Sequence, residues 1–348
     1  MPSTHNQQHL AAVLPSAGSA LQVQYRPTPT PGPNDLLIAV KSIALNPVDY
    51  NMRDYGFNIA SYPAVLGSDV SGTIISAGAS VPSTPAYALG TRVAAFAPAF
   101  FAQGLPDYGA MQARVLVPAA NAVPLPDHVT FDEGALLPMA VATAWAGLYT
   151  VGVPRDTRFA ASDKQAILVW GGATSVGSAA IQVARLLGYA VYATASSTHH
   201  EYLQKLGAKR VFNYRDAEVV EKVVEAVRRA GETITVAYDA AGSLEQCQEI
   251  LKQLNPQGGA KIAHAPPLPQ PTPKVEGVEV KFVMSPTDAG ERAEYFRFIF
   301  GDWLKEKLET KEFVPSPSIK IVGGLDAAQA GLEELKAGVS GTKLVLNP

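Results

Sequence analysis

The chain has 348 residues, 47% hydrophobic and 17% charged, which gives length for two domains and apolar content for a sizeable core, and so excludes a disordered polymer. Lys and Arg number 28 against 31 Asp and Glu, a net charge of -3 that offers no basic field for nucleic acid. One cysteine, Cys247, permits neither an internal disulfide nor a Cys-rich zinc site, and reads as a reducing, cytoplasmic compartment.

Met1 to Leu10 is polar, with no positive run ahead of an apolar one, so no secretory signal is expected. No apolar run approaches the roughly 20 residues that span a bilayer. Ala135 to Tyr149 is too short and is interrupted by Pro138 and Gly147, so no membrane partner is expected.

Up to residue 132, short β-like runs (Leu36 to Val40, Ser71 to Ser76, Arg92 to Phe96, Ala113 to Val117) alternate with turn signals. Those signals are Pro31-Gly32-Pro33, Asn46-Pro47 and Asp107-Tyr108-Gly109. The spacing predicts an all-β unit. From Ala166 the pattern changes. A buried strand (Ala166 to Trp170), a glycine turn and a helix (Val176 to Leu187) lead to a second strand, Ala190 to Ala195. Strands at Arg210 to Tyr214, Thr235 to Asp239 and Ala260 to His264 then alternate with helices near Glu218 to Arg229 and Leu244 to Leu254. This alternation predicts an α/β parallel sheet. Five prolines between Pro266 and Pro273 exclude a helix there. A strand at Val278 to Val283, a long helix near Ala289 to Leu308 and a β–α–β tail ending at Lys343 to Leu346 follow. The tail is expected to rejoin the first domain, because the parallel sheet is complete before it.

The turn Gly171-Gly172-Ala173-Thr174-Ser175-Val176-Gly177 lies between strand and helix. Gly172 is expected to make the tight turn and Gly177 to let helix and strand approach closely. The helix start then directs amides and its positive dipole at a pyrophosphate. Thr174 stands where the middle glycine of G-x-G-x-x-G is usual; its hydroxyl can bond a phosphate oxygen. The competing reading is a glycine turn used for packing alone. NAD-binding chains carry an acid about 20 residues on, for the ribose hydroxyls. Here Ala195-Ser196-Ser197-Thr198-His199-His200 fills that place. Small hydroxyls and imidazoles leave room for a 2′-phosphate, so the cofactor expected is NADPH; the two histidines also suit a solvated helix start.

These segments, together with Ala44 to Tyr50, Leu66 to Gly72, Leu206-Gly207-Ala208, Val211 to Tyr214, Gly323-Gly324-Leu325 and Val339 to Val345, resemble the medium-chain dehydrogenase/reductase superfamily over nearly the whole chain. The resemblance is nearest to its zinc-free quinone-oxidoreductase and enoyl-reductase branch, and within that to fungal stand-alone enoyl reductases of polyketide pathways. It implies a Rossmann-type doubly wound parallel-sheet domain, 133–285, inserted into a GroES-like, mostly β substrate domain, 1–132 and 286–348. Substrate and nicotinamide would meet in the cleft. It also implies that Thr143 lines the nicotinamide site and that Ser196, His199 and Tyr214 hold the 2′-phosphate. Ala241, Gly242, His264, Ala265 and Pro266 would cover the cofactor, alongside Gly172, Thr174, Ser175, Val176 and Gly177. His264 equally suits a satisfied loop histidine.

Zinc-dependent members carry a Cys near position 46 and a His-Glu pair after the glycine at 67. This chain has Asn46 and Ser68-Asp69 there, and none of its six histidines has paired ligand spacing, so no metal is expected. Reduction of a conjugated C=C or a quinone needs none. Asn46 can fix the nicotinamide ribose or carboxamide. Tyr50 is a donor candidate or an aromatic wall, and Asn51 can polarise a carbonyl, with a water as the rival proton source. Asp49 is expected to cap the following turn. Three functions fit: a trans-acting enoyl reductase of fungal secondary metabolism on a free or acyl-carrier-bound enoyl substrate, a partner of a polyketide synthase; a quinone or enone oxidoreductase; and a weakly catalytic NADPH-binding partner protein.

Overall fold

The computed structural model describes residues 8–348, so most of the Met1 to Leu10 reading, with His5, lies outside the described residues. The chain divides into two compact units, one ending at Met139 and resuming at Ala293–Pro348, the other Ala140–Arg292.

The first unit opens with β1 (Gln8–Leu14), β2 (Gln22–Pro27) and β3 (Asp35–Ala44), followed by α1 (Pro47–Tyr55). Strands β4 (Ala64–Val65), β5 (Asp69–Ala77), β6 (Arg92–Phe96), β7 (Arg114–Pro118) and β8 (Ala122–Pro124) complete its first part. Helix α2 (Phe131–Ala135) and helix α3 (Pro138–Thr150) come next, and α3 runs on into the second unit. β3 is the organising strand: it pairs antiparallel with both β5 and β7, and Leu36, Ile38 and Ile43 on it are fully buried.

The second unit alternates as the sequence predicts. It runs β9 (Gln165–Trp170), α4 (Ser175–Leu186), β10 (Ala190–Ala195), α5 (His200–Leu206), β11 (Ala208–Asn213) and α6 (Val219–Ala230). Then come β12 (Thr233–Asp239), α7 (Leu244–Leu254), β13 (Ala260–His264) and β14 (Val278–Phe282). The strands are all parallel, in the order β11-β10-β9-β12-β13-β14. That is the doubly wound arrangement, whose order reverses between β9 and β12; ligands bind outside the carboxyl ends of strands at such a point.

The tail has α8 (Ala289–Phe296), a π-helical stretch Arg297–Leu304, α9 (Lys305–Glu309), β15 (Ser318–Gly323), α10 (Ala328–Ala337) and β16 (Thr342–Leu346). β16 pairs antiparallel with β3, so the tail does return to the first sheet.

Four expectations need correction. The first part of the chain is not purely β, because Asn46-Pro47 opens α1: proline is favoured at a first helical position, where its missing N–H costs nothing. β1 and β2 went unpredicted, since β2 is exposed along almost its whole length and shows no alternation. The tight turn belongs to Gly171, with φ 79°, and not to Gly172. The helix at 289–308 is not uniformly α but changes to π over eight residues. Among the described residues, no helix is long and apolar enough to cross a membrane.

Candidate functional site

The carboxyl edge of the parallel sheet gathers three groups of the predicted residues. At the end of β9, Gly171 turns the chain in the left-handed region that glycine tolerates. Gly177 lies against this turn: a Cβ there would stand 2.3 Å from the Gly171 carbonyl oxygen. Gly172 is pressed from the other side, where a Cβ would meet Leu203 Cδ1 at 2.8 Å and Ile181 Cδ1 at 2.9 Å. The glycines therefore bring the start of α4 close to the strand end, as a pyrophosphate cradle requires. Thr174 is the N-cap of α4. Its Oγ1 accepts from Gly177 N at 2.9 Å and donates to the Gly171 carbonyl at 2.9 Å. The hydroxyl expected to meet a phosphate is thus engaged in building the turn. Ser175 and Val176, both half-buried, supply the first helical amides, which have no partner within a helix.

The second group stands where β10 and β11 end side by side, with Ala195 in register with Asn213. Ser196 follows one strand and Tyr214 the other. Ser196 Oγ lies 3.1 Å from Thr198 Oγ1, and His199, half-buried, closes the short turn by donating its backbone N–H to the Ser196 carbonyl at 3.0 Å. Tyr214 is exposed, and the Arg215 guanidinium lies over its ring, 5.4 Å from the centroid. Sequence reading passed over Arg215, an exposed cation adjoining a residue it had already singled out.

The third group follows β12 and β13. Asp239, fully buried, accepts from Ala241 N at 3.0 Å and Gly242 N at 2.9 Å through Oδ1, and its Oδ2 stands 2.9 Å from His264 Nδ1. Its carbonyl accepts from Ala265 N at 2.9 Å. Gly242 has φ 84°, and a Cβ there would sit 3.9 Å from Pro266 Cγ, so the two turns are neighbours. His264 is a buried strand-end residue, 1% exposed and held by Asp239, so its side chain is a satisfied histidine, the second of the two readings the sequence allows. Thr143 lies half-buried on α3, and its carbonyl accepts from Tyr238 Oη at 2.6 Å.

Asn46, Tyr50 and Asn51 belong to the first unit. Asn46 precedes α1, and Tyr50 and Asn51 are half-buried in the helix, with Tyr50 packed on the apolar core. Asn46 has no idle polar atom. Its Oδ1 accepts from Lys343 Nζ at 2.6 Å, while Nδ2 donates to Asp69 Oδ2 at 2.8 Å and to the Ala44 carbonyl at 3.2 Å. Asp49 caps the preceding turn, not the following one: its Oδ2 accepts from Asn46 N at 2.8 Å. Burial pushes the Asp49 carboxyl up to about 7; the Asn46 backbone N–H opposes this, the Asp69 charge adds to it and the Lys343 ammonium opposes it. Among the described residues, no group of three or more His, Cys, Asp or Glu is placed to hold a metal ion.

Residues 32–127 match the alcohol dehydrogenase GroES-like domain, and residues 175–272 match the zinc-binding dehydrogenase family. The chain belongs to the medium-chain dehydrogenase/reductase superfamily, oxidoreductases that work with a nicotinamide cofactor. It is 45% identical over 342 residues to the trans-enoyl reductase tndF of Aspergillus flavipes, covering 97% of this chain and 99% of that one. With the trans-enoyl reductase tazE of Aspergillus terreus the identity is 47% over 277 residues, covering 79% and 91%. Among solved structures, an alcohol dehydrogenase superfamily protein from Novosphingobium aromaticivorans superposes with a TM-score of 0.80 at 22% identity, over 98% of this chain and 99% of that one. The CurK enoyl reductase superposes with a TM-score of 0.72 at 22% identity, over 98% and 99%. At that identity the two structures speak for the fold.

Proposed function

We propose that the protein is a trans-acting enoyl reductase that uses NADPH to reduce the C=C of an α,β-unsaturated carbonyl or enoyl thioester made by a polyketide synthase. The observation carrying this reading is the 45% identity with a trans-enoyl reductase, end to end, over both units. The cofactor supplies a hydride to the β-carbon. The chain's own residues do the rest. Gly171, Gly172 and Gly177 let the turn and the start of α4 pack closely against β9 and their neighbours, where a Cβ would clash, and this packing would present the Ser175 and Val176 amides and the α4 dipole to a pyrophosphate. Ser196, His199, Tyr214 and Arg215 would hold the 2′-phosphate, and no acid stands among them to repel it. Thr143 and the Ala241-Gly242 and Ala265-Pro266 turns border the rest of the cofactor.

On the acceptor, the carbonyl oxygen gains negative charge as hydride arrives and needs donors held ready. Tyr50 and Asn51 on α1 are the donors we assign, with a water delivering the α-carbon proton. Asn46, with its amide fully engaged, positions α1 rather than touching substrate. No step is given to a metal, because position 46 is an asparagine amide and positions 68 and 69 are serine and aspartate.

The test is turnover of purified protein with NADPH against a panel of conjugated enoyl thioesters, free and loaded on an acyl-carrier protein. NADPH consumption with a saturated thioester as product supports the reading. NADPH consumption confined to quinones would replace it with the quinone-reductase reading.

A further inference from the structure

Three strands, β16, β3 and β5, bring three side chains together. β16 and β3 pair antiparallel with Val345 opposite Ala44, and the ladder continues through Leu45 N donating to the Leu344 carbonyl at 3.0 Å. The next position sets Lys343 beside Asn46. Ala44 is also the register partner of Asp69 on β5. An ammonium, an amide and a carboxylate are thereby brought together. Lys343 Nζ lies 2.6 Å from Asn46 Oδ1 and 3.3 Å from Asp69 Oδ2. Lys343 is 4% exposed and Asp69 is fully buried.

A buried ion pair is seldom kept for stability, because taking both charges out of water offsets most of their attraction. The residues after Lys343, Leu344 to Leu346, are apolar and fully buried, so an apolar side chain would suit the surroundings. The charge does something that packing does not. It fixes which way the Asn46 amide faces, since Oδ1 must meet the cation and Nδ2 the carboxylate. Asp69 in turn accepts from Met139 N at 2.6 Å through Oδ1, so its orientation is fixed from both ends. Asn46 N then donates to Asp49 Oδ2, which closes the first turn of α1. The positions tied together, 46 and 69, belong to the pair of segments where zinc-dependent relatives carry metal ligands.

We propose that Lys343 is a positioning residue of the reductase site: its ammonium, held between Asn46 and Asp69, sets the first turn of α1 and with it Tyr50 and Asn51. This rests on the enoyl-reductase reading for its kinetic consequence but not for its structural one.

The test compares wild type with Lys343→Met and with the double variant Lys343→Met/Asp69→Asn. The single variant leaves an uncompensated buried carboxylate and is expected to lose stability. The double variant removes both charges and is expected to regain the wild-type denaturation midpoint. In that folded double variant we expect kcat to fall at least tenfold, with KM for NADPH within twofold of wild type. We also expect faster hydrogen exchange across residues 46–52 and unchanged exchange across 36–44. A role in charge balance alone predicts wild-type kcat and exchange in the double variant, and either result overturns the proposal. The exchange measurement needs no substrate, so it decides the matter even if the reaction assigned above is wrong.

Discussion

Thr174 Oγ1 caps α4 by accepting from Gly177 N at 2.9 Å, and Gly177 packs against the Gly171 carbonyl that the same hydroxyl donates to. The two residues have separable duties, one in helix stability and one in the shape of the cradle. Thr174→Ala should cost about 1 kcal/mol, the usual loss on removing an N-cap, with cofactor affinity little changed. Gly177→Val places carbon within 2.3 Å of a carbonyl oxygen, so the start of α4 must move. It should abolish measurable cofactor binding while the first unit keeps its fold. Fluorescence titration with NADPH, alongside denaturant unfolding of each variant, checks both; unaltered affinity in folded Gly177→Val would place the cofactor elsewhere.

Cofactor choice is expected to depend on Arg215 and Ser196. An exposed guanidinium bonding a phosphate contributes about 1.5 kcal/mol, so Arg215→Ser should weaken NADPH binding roughly tenfold and leave NADH unaffected. Ser196→Asp brings an acid to the place where NAD-binding chains have one, and should reverse the preference. Parallel titrations with the two cofactors decide it. Equal loss for NADPH and NADH in Arg215→Ser would remove the residue from the 2′-phosphate site.

Stability should fall with pH through Asp49. Its folded carboxyl is pushed up to about 7 by burial, above the ordinary value of 3.8, so the folded state binds more protons than the unfolded one between those values. Unfolding free energy therefore declines as pH rises from about 4 to about 7, and the group adds no further slope above that. Asp69, Lys343 and Asn46 surround it, and Asp69 is raised in the same direction, again by burial. Asp49→Asn removes one titrating site while keeping an acceptor for Asn46 N. The variant should show a shallower pH slope than wild type across that window in denaturant titrations. Identical slopes would show that Asp49 is ionised throughout.

The β9–turn–α4 unit was legible because an apolar run, a glycine turn and a 3.6-residue apolar period coincide at Ala166 to Leu187. The missing acid after β10 was equally plain, since it is a matter of composition at one strand end. Helix α1 was not, because Asn46-Pro47 spells both a turn and an N-cap followed by a first helical proline. Thr174 and His264 each allow two readings in the sequence for a common reason: either residue type can serve a ligand or the fold, and only the folded structure shows which of their hydrogen bonds are taken. Lys343 was out of reach altogether: it meets Asn46 across 297 positions, through a strand register that no local pattern encodes.

Tyr50 is where the assigned chemistry meets a side chain most directly. If its hydroxyl donates to the carbonyl oxygen as charge develops there, Tyr50→Phe should lower kcat by tenfold or more and change KM little. Steady-state kinetics on an enoyl thioester measures this. Unchanged kcat would make Tyr50 a wall and leave Asn51 and water as the donors.

The central claim is where the hydride goes. Enzyme incubated with C4-deuterated NADPH and an α,β-unsaturated carbonyl acceptor gives a product whose label can be located by NMR. Conjugate reduction predicts deuterium on the β-carbon, with solvent hydrogen on the α-carbon. Deuterium on a carbinol carbon, with the double bond intact, would contradict the account and make the protein a carbonyl reductase.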